Sequence, residues 1–138
     1  MNTRRADKFA FLFATIILLL TISHASAQQS GPTETKGMTA VETAASDLGP
    51  EIEGMQGRQL RMRVLVMDPG GTIAVHKQTD RPEVIYILNG TIAEYLNGSV
   101  VQRNSGDTWT AGKETTHGIV NTGAEPAVIV VTDILKVQ

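Results

Sequence analysis

From Gln59 onward the chain alternates. Leu60, Met62, Val64 and Val66 are separated by Arg61, Arg63 and Leu65, a period of two that predicts a strand with one face packed and the other wet. Asp68-Pro69-Gly70-Gly71 predicts a turn after it. Apolar runs of strand length follow over 72–77, 84–88, 91–96, 99–103, 108–111, 115–121 and 127–135. Asn89-Gly90 and Asn97-Gly98 fit two-residue hairpin turns, whose residues tolerate positive φ, and Asn104-Ser105-Gly106-Asp107 fits another turn. About eight short antiparallel strands with such punctuation predict an all-β sandwich or barrel over residues 58–138.

Ahead of that segment the pattern changes twice. Arg4, Arg5 and Lys8 precede an almost unbroken apolar run over 9–22, and Ala25-Ser26-Ala27 is a small-residue cleavage site. This predicts a signal peptide over 1–27, removed after Ala27. The run, about 14 residues, is shorter than the roughly 20 a spanning helix needs; an uncleaved anchor is the alternative. Bacterial export to the periplasm or medium follows, with no membrane association after cleavage. Residues 28–57 read as a leader of irregular structure. Its first part, 28–36, is polar and expected to be disordered. Met38 to Ile52 fits either a short helical turn through Ala40, Val41, Ala44 and Ala45, stopped by Gly49-Pro50, or a strand that pairs with a partner subunit.

Removing the signal leaves 111 of the 138 residues, enough for one domain. Loss of Arg4, Arg5, Lys8 and Asp7 takes the formal charge from -2 to -4. With no basic stripe or aromatic ladder, nucleic acid is not an expected partner. There is no cysteine, so neither a disulfide framework nor thiolate ligation is available, and any metal must be held by nitrogen and oxygen.

Polar residues on the predicted strands carry the candidate chemistry. His76 and Gln78 are two apart and share a face with Thr72 and Ala74. Glu83 begins the next run, on the face of Ile85 and Ile87, where a carboxylate is costly to bury unless it is paired or bound to a cation. His117 shares a face with Ile119 and Asn121. Neighbouring positions around a small barrel would make the four side chains converge. Simpler roles also fit: hydrogen-bonded sheet histidines, a rim ion pair from Glu83 to Arg81 or Lys77, and a solvated Gln78. Asn121 is expected to brace a turn, Trp109 to line core or pocket, and Tyr86 to face outward for packing.

Gly70, His76, Glu83 and Gly90 resemble the first motif of the cupin superfamily, G-x5-H-x-H-x3 or 4-E-x6-G, with Gln78 in place of the second histidine. Gly106, Asp107, Gly112, His117 and Asn121 resemble the second, G-x5-P-x-G-x2-H-x3-N, with Thr110 at the proline position and four residues between Gly112 and His117. The likeness spans Gln59 to about Asp133. It implies a cupin jelly-roll (double-stranded β-helix) barrel holding a divalent metal, Mn, Fe, Zn, Ni or Cu, on His76, Gln78, Glu83 and His117. Imidazole suits such metals, and a carboxylate can also take a proton from substrate, which makes Glu83 the candidate catalytic base. Gln78 can ligate only through its amide oxygen, a weaker donor, so a site of His76, Glu83 and His117 alone is the other reading. The implied activity is that of a quercetin dioxygenase-like enzyme acting on a small organic substrate. A metal-dependent lyase or isomerase working on a carbonyl, and a non-catalytic small-ligand-binding cupin, are the alternatives. Small cupins often pair, so the resemblance also implies a homodimer, with 52–67, Val84 and Tyr86 as the expected surface.

Overall fold

A computed structural model describes residues 29–137; the expected signal peptide lies outside them. Eight strands form: β1 (Lys36–Asp47), β2 (Arg58–Lys77), β3 (Glu83–Asn89), β4 (Thr91–Leu96), β5 (Ser99–Asn104), β6 (Thr108–Ala111), β7 (Thr116–Asn121) and β8 (Ala127–Lys136). No helix occurs among the described residues, and none there is long and apolar enough to cross a membrane. The strands make one curled antiparallel sheet in the order β5-β4-β7-β2-β8-β3-β6, with β1 added alongside β2. This is the expected all-β jelly roll.

β2 organises the barrel because it serves two walls. Its first half pairs with β8 from Arg58↔Lys136 to Met67↔Ala127, and its second half pairs with β7 from Thr72↔Val120 to Lys77↔Thr116. Asp68-Pro69-Gly70-Gly71, expected to be a turn, is instead the corner at which one continuous strand changes partners. Gly70 adopts φ +73°, and a Cβ on Gly71 would lie 2.5 Å from the Gly37 carbonyl oxygen, so β1 can pass this corner only where side chains are missing.

Two further corrections concern the first half of the chain. The leader is not irregular throughout: Lys36–Asp47 is strand, paired with β2 of its own chain from Lys36↔Thr72 to Asp47↔Gln59. Nor do residues 29–35 hang free. The Pro32 carbonyl accepts from Val75 N at 2.8 Å, the Glu34 carbonyl from Thr72 Oγ1 at 2.7 Å, and Thr35 Oγ1 from Ala74 N at 3.0 Å. Backbone donors on the edge of β2 are satisfied in this way. In β2 the faces are the reverse of those expected. Leu65 and Met67 are buried and Arg61 and Arg63 turn inward, while Leu60, Met62 and Val66 face out, each 39% exposed.

The core joins Leu65 and Met67 to Ile85, Ile87, Ile92, Ile119, Ile129 and Val131. Each such side chain contributes about 1.5–3 kcal/mol by leaving water. The inward rows become polar toward one end: β8 runs Ala127, Ile129, Val131, then Asp133, and β3 runs Ile87, Ile85, then Glu83. Glu83 pairs with Asp133, and His76 with His117. All four therefore lie at the same mouth.

Candidate functional site

His76 reaches the mouth through a bulge. Ile73 pairs with Ile119 and His76 with His117, so β2 uses three steps where β7 uses two. The extra residue resets the alternation and sends both Ile73 and His76 toward the interior. Gly118 permits the close approach of the two strands, since a Cβ there would meet Val75 Cγ2 at 2.9 Å and Val75 N at 3.0 Å. His117 itself is 1% exposed.

Both imidazoles are oriented from behind. His76 Nδ1–H donates to the Ala74 carbonyl at 2.9 Å, and His117 Nδ1–H to Glu94 Oε1 at 2.9 Å. That tautomer leaves each Nε2 lone pair facing the cavity. Gln78 lies between them: its amide nitrogen is 3.2 Å from His76 Nε2 and 3.1 Å from His117 Nε2, and can donate one hydrogen to each ring in its neutral form. Its oxygen faces away and accepts from Arg81 Nε at 3.3 Å, which sets the sense of the amide. Glu83 Oε1 is 3.4 Å from His117 Nε2. The four residues singled out in the sequence are thus brought to one place.

Glu94 is the site residue that the sequence reading missed. Fully buried on β4, it accepts from His117 and from Trp109 Nε1 (2.9 Å) on Oε1, and from Arg103 Nε and Nη2 (3.0 and 2.8 Å) on Oε2. Burial alone would raise its pKa, but the hydrogen bonds from His117 and Arg103 outweigh that and lower it. Its position two residues after Ile92 on an inward row was a usable signal, the same one that marks Glu83. Burial likewise works to lower the pKa of His117, yet Glu83 and Glu94 on opposite sides of the ring push it up to about 9. A positive charge is therefore favoured at Nε2, as a proton or as a cation. Asn121, by contrast, is structural: its amide donates to the Met67, Asp68 and Glu125 carbonyls and its oxygen accepts from Gly123 N.

Around the mouth stand three arginines. Arg61 makes two hydrogen bonds to Asp133 (3.1 and 2.9 Å), Arg63 makes one (3.0 Å), and Arg81 lies 3.9 Å from the same carboxylate. Glu83 Oε2 is 4.0 Å from Arg63; its expected partners were Arg81 or Lys77. Between these groups and the histidines is a cavity of about 80 Å³ lined by Arg63, His76, Arg81, Glu83, His117 and apolar side chains.

Comparison with known proteins gives this geometry its family. The cupin domain family matches residues 63–133, just over half of the chain. The chain is a cupin. Among solved structures the cupin is similar to KdgF from Halomonas sp. (20% identity, TM-score 0.57, covering 70% of this chain and 78% of that one). It is also similar to an RmlC-like cupin from Shewanella frigidimarina (18%, TM-score 0.54, 78% and 93%). A third similar structure is that of a predicted oxalate decarboxylase from Thermotoga maritima (21%, TM-score 0.51, 75% and 99%). At such identities the likeness is one of fold. No curated protein matches the chain.

Cupins commonly bind a divalent cation, and the donors here fit one in kind: two imidazole lone pairs of fixed tautomer and an adjacent carboxylate. In spacing the site is open. Among the described residues no three His, Asp or Glu side chains come close enough to hold an ion. Each imidazole nitrogen stands about 1 Å farther from the shared point than a metal–nitrogen bond of about 2.1 Å allows. Closing on an ion requires the Gln78 amide nitrogen to leave.

Proposed function

We propose that the protein is an exported cupin that holds a divalent metal on His76, Glu83 and His117 and acts on a small organic substrate in the adjoining cavity. The observation that carries this is the pair of imidazoles whose Nδ1 atoms are committed to Ala74 and Glu94, leaving both Nε2 atoms aimed at one point beside Glu83. When bound, the ion would supply Lewis acidity toward a substrate oxygen. Glu83 would bind the ion and take a proton at its free oxygen, Glu94 would hold the His117 ring, and the apolar wall would exclude water. Gln78 joins only by turning its oxygen inward, which takes that acceptor from Arg81; three ligands are the simpler arrangement. A cavity of about 80 Å³ is well below the several hundred Å³ that drug-sized ligands occupy, which points to a substrate smaller than a flavonol. Oxygen uptake during turnover separates dioxygenase-like chemistry from a lyase or isomerase, which turns over anaerobically.

A metal-free, ligand-binding cupin is the second reading, favoured by the Gln78 amide filling the point between the imidazoles and satisfying both. Elemental analysis of the purified protein decides between them. The metal reading expects about one ion per chain in the wild type, retention about ten- to a hundredfold tighter in Gln78→His, and loss in His117→Ala. A wild-type chain that stays metal-free after incubation with Mn, Fe, Zn, Ni and Cu would overturn it. For export, the support is the basic, apolar and small-residue order of residues 1–27, and a mature N-terminus at Gln28 is the expected result. A homodimer is proposed as well, on the outward apolar residues of β2 and β3.

A further inference from the structure

We propose that the cavity is a carboxylate site, in which Arg63 and Arg81 receive the carboxylate of a small monocarboxylic acid while its other end meets His76, Glu83 and His117. The second half of that statement rests on the functional reading above; the arginine half stands on its own.

The first observation is an unmet donor. Arg63 Nε is buried and has no hydrogen-bond partner, although the residue lines the cavity. Of its guanidinium, Nη2 is engaged with Asp133 at 3.0 Å. A buried N–H without an acceptor is uncommon in folded proteins, and where one persists beside a cavity its partner is a water or an acceptor on a ligand. Arg81 points to the same place from the rim. Its side chain is 34% exposed, and among the described residues its one hydrogen bond uses Nε, to Gln78.

The second observation is charge. Arg61, Arg63 and Arg81 face two inward carboxylates, Asp133 and Glu83, and Arg61 also lies 4.0 Å from the exposed Glu42. Asp133 already receives three hydrogen bonds from Arg61 and Arg63, and Glu83 turns one oxygen toward His117 and leaves the other 4.0 Å from Arg63. Among the described residues Arg81 is thus the one guanidinium of the three without a close carboxylate of its own, 3.9 Å from an Asp133 already bonded by the two others, beside a low-dielectric wall of Leu65, Ile85 and Val131. A single negative charge gives Arg81 a partner of its own.

Size and geometry select among monoanions. The cavity of about 80 Å³ has the volume of about two to three waters at roughly 30 Å³ each, which suits a carboxylate with a short tail. Two planar guanidiniums match the planar two-oxygen edge of a carboxylate. The tail then lies between the apolar wall and the histidine end.

Titration of the purified full-length protein with pyruvate, its neutral amide pyruvamide and inorganic phosphate, by calorimetry, tests this. Pyruvate is expected to bind one per chain and at least about tenfold more tightly than pyruvamide or phosphate, and Arg81→Gln and Arg63→Gln each to weaken it about tenfold. Because Arg63 also braces Asp133, the more exposed Arg81 gives the cleaner variant, and circular dichroism checks that both are folded. Equal binding of acid and amide, tighter phosphate binding, no pyruvate binding, or indifference to both substitutions would each overturn the proposal. The same titration after chelation separates the two readings. Arginine-dependent pyruvate binding in metal-free protein sustains the carboxylate site even where the metal reading fails. Pyruvate that binds only with metal, and equally well in both arginine variants, overturns the arginine site and leaves the metal reading intact.

Discussion

His117 shows how two buried carboxylates can control one side chain. Its pKa is raised from 6.5 to about 9 by Glu83 and Glu94, so in the metal-free protein a proton on Nε2, which faces Glu83 Oε1, competes at neutral pH with the hydrogen bond from the Gln78 amide. A group whose folded pKa is raised contributes stability that is fully present below its unfolded value and is lost as pH rises through the folded one. The melting temperature of chelated protein is therefore expected to fall between about pH 6.5 and pH 9, and His117→Asn to flatten that part of the profile. Metal binding must displace the proton, so apparent affinity should climb by up to about tenfold per pH unit until His117 is neutral; competition with a chelator at pH 7 and pH 9 measures it. Glu94 carries the second prediction at this scale. In Glu94→Gln, Arg103 is left facing an amide with no charge partner, a loss of about 3 kcal/mol for a broken buried pair. The ring of His117 is then held less firmly, and metal retention should drop about ten- to a hundredfold. Fluorescence of Trp109, whose Nε1–H bonds the same carboxylate, should shift in that variant. A Glu94→Gln protein with wild-type stability and metal content would contradict both expectations.

At the scale of the strand, the alternation of apolar residues and the turn signals were enough to place most strands and the all-β architecture. They also put His76, Glu83 and His117 on inward rows. Asn97-Gly98 closes the expected β4–β5 hairpin, whereas Asn89-Gly90, also expected to be a hairpin turn, joins β3 to β4, which do not pair. What alternation could not supply was phase. Both rows of β2 between Leu60 and Met67 contain apolar residues, and the interior is decided by neighbours: Leu65 and Met67 meet the core, whereas Arg61 and Arg63 find Asp133. Local sequence carries no record of that long-range pairing, so Arg61 and Arg63 were read as solvent-facing. The bulge before His76 is hidden for a similar reason, since it appears only when β2 is laid against β7. Gly118 is the residue that makes this juxtaposition possible. Gly118→Ala places a methyl 3.0 Å from the Ile73 carbonyl oxygen and 3.0 Å from Val75 N, backbone atoms that can yield only by separating the strands. A loss of about 1–3 kcal/mol is expected for such overpacking, measurable by denaturant unfolding. It should be accompanied by weakened metal retention, because His117 moves with its strand. Unchanged stability in Gly118→Ala would mean that the β2–β7 contact is looser than described.

The reversed phase of β2 changes the exterior of the whole molecule. With Leu65 inside, Leu60, Met62 and Val66 lie outside, and register extends their row across the sheet: Val41 on β1 is opposite Val64, Val64 opposite Val130, and Val130 opposite Tyr86. Val84 is 52% exposed, Tyr86 41% and Leu88 56%. A single exposed apolar side chain is ordinary, but a contiguous row over four strands, without a charged residue in it, is the surface on which the dimer is proposed. β1 points the same way, since most of its residues are exposed on both faces and, Met38 apart, it packs along β2. The occupant that fits is a second copy of the chain, because a flat self-complementary sheet face can meet itself about a two-fold axis. Sedimentation of the wild type should give a dimer, and Val84→Glu with Tyr86→Lys should give a folded monomer. These positions point away from the barrel mouth, so metal content in the monomeric variant is expected to match that of the wild type. A wild-type chain that sediments as a monomer at micromolar concentration would sink the dimer. A dimer that persists in the double variant would move the interface to the free faces of β1.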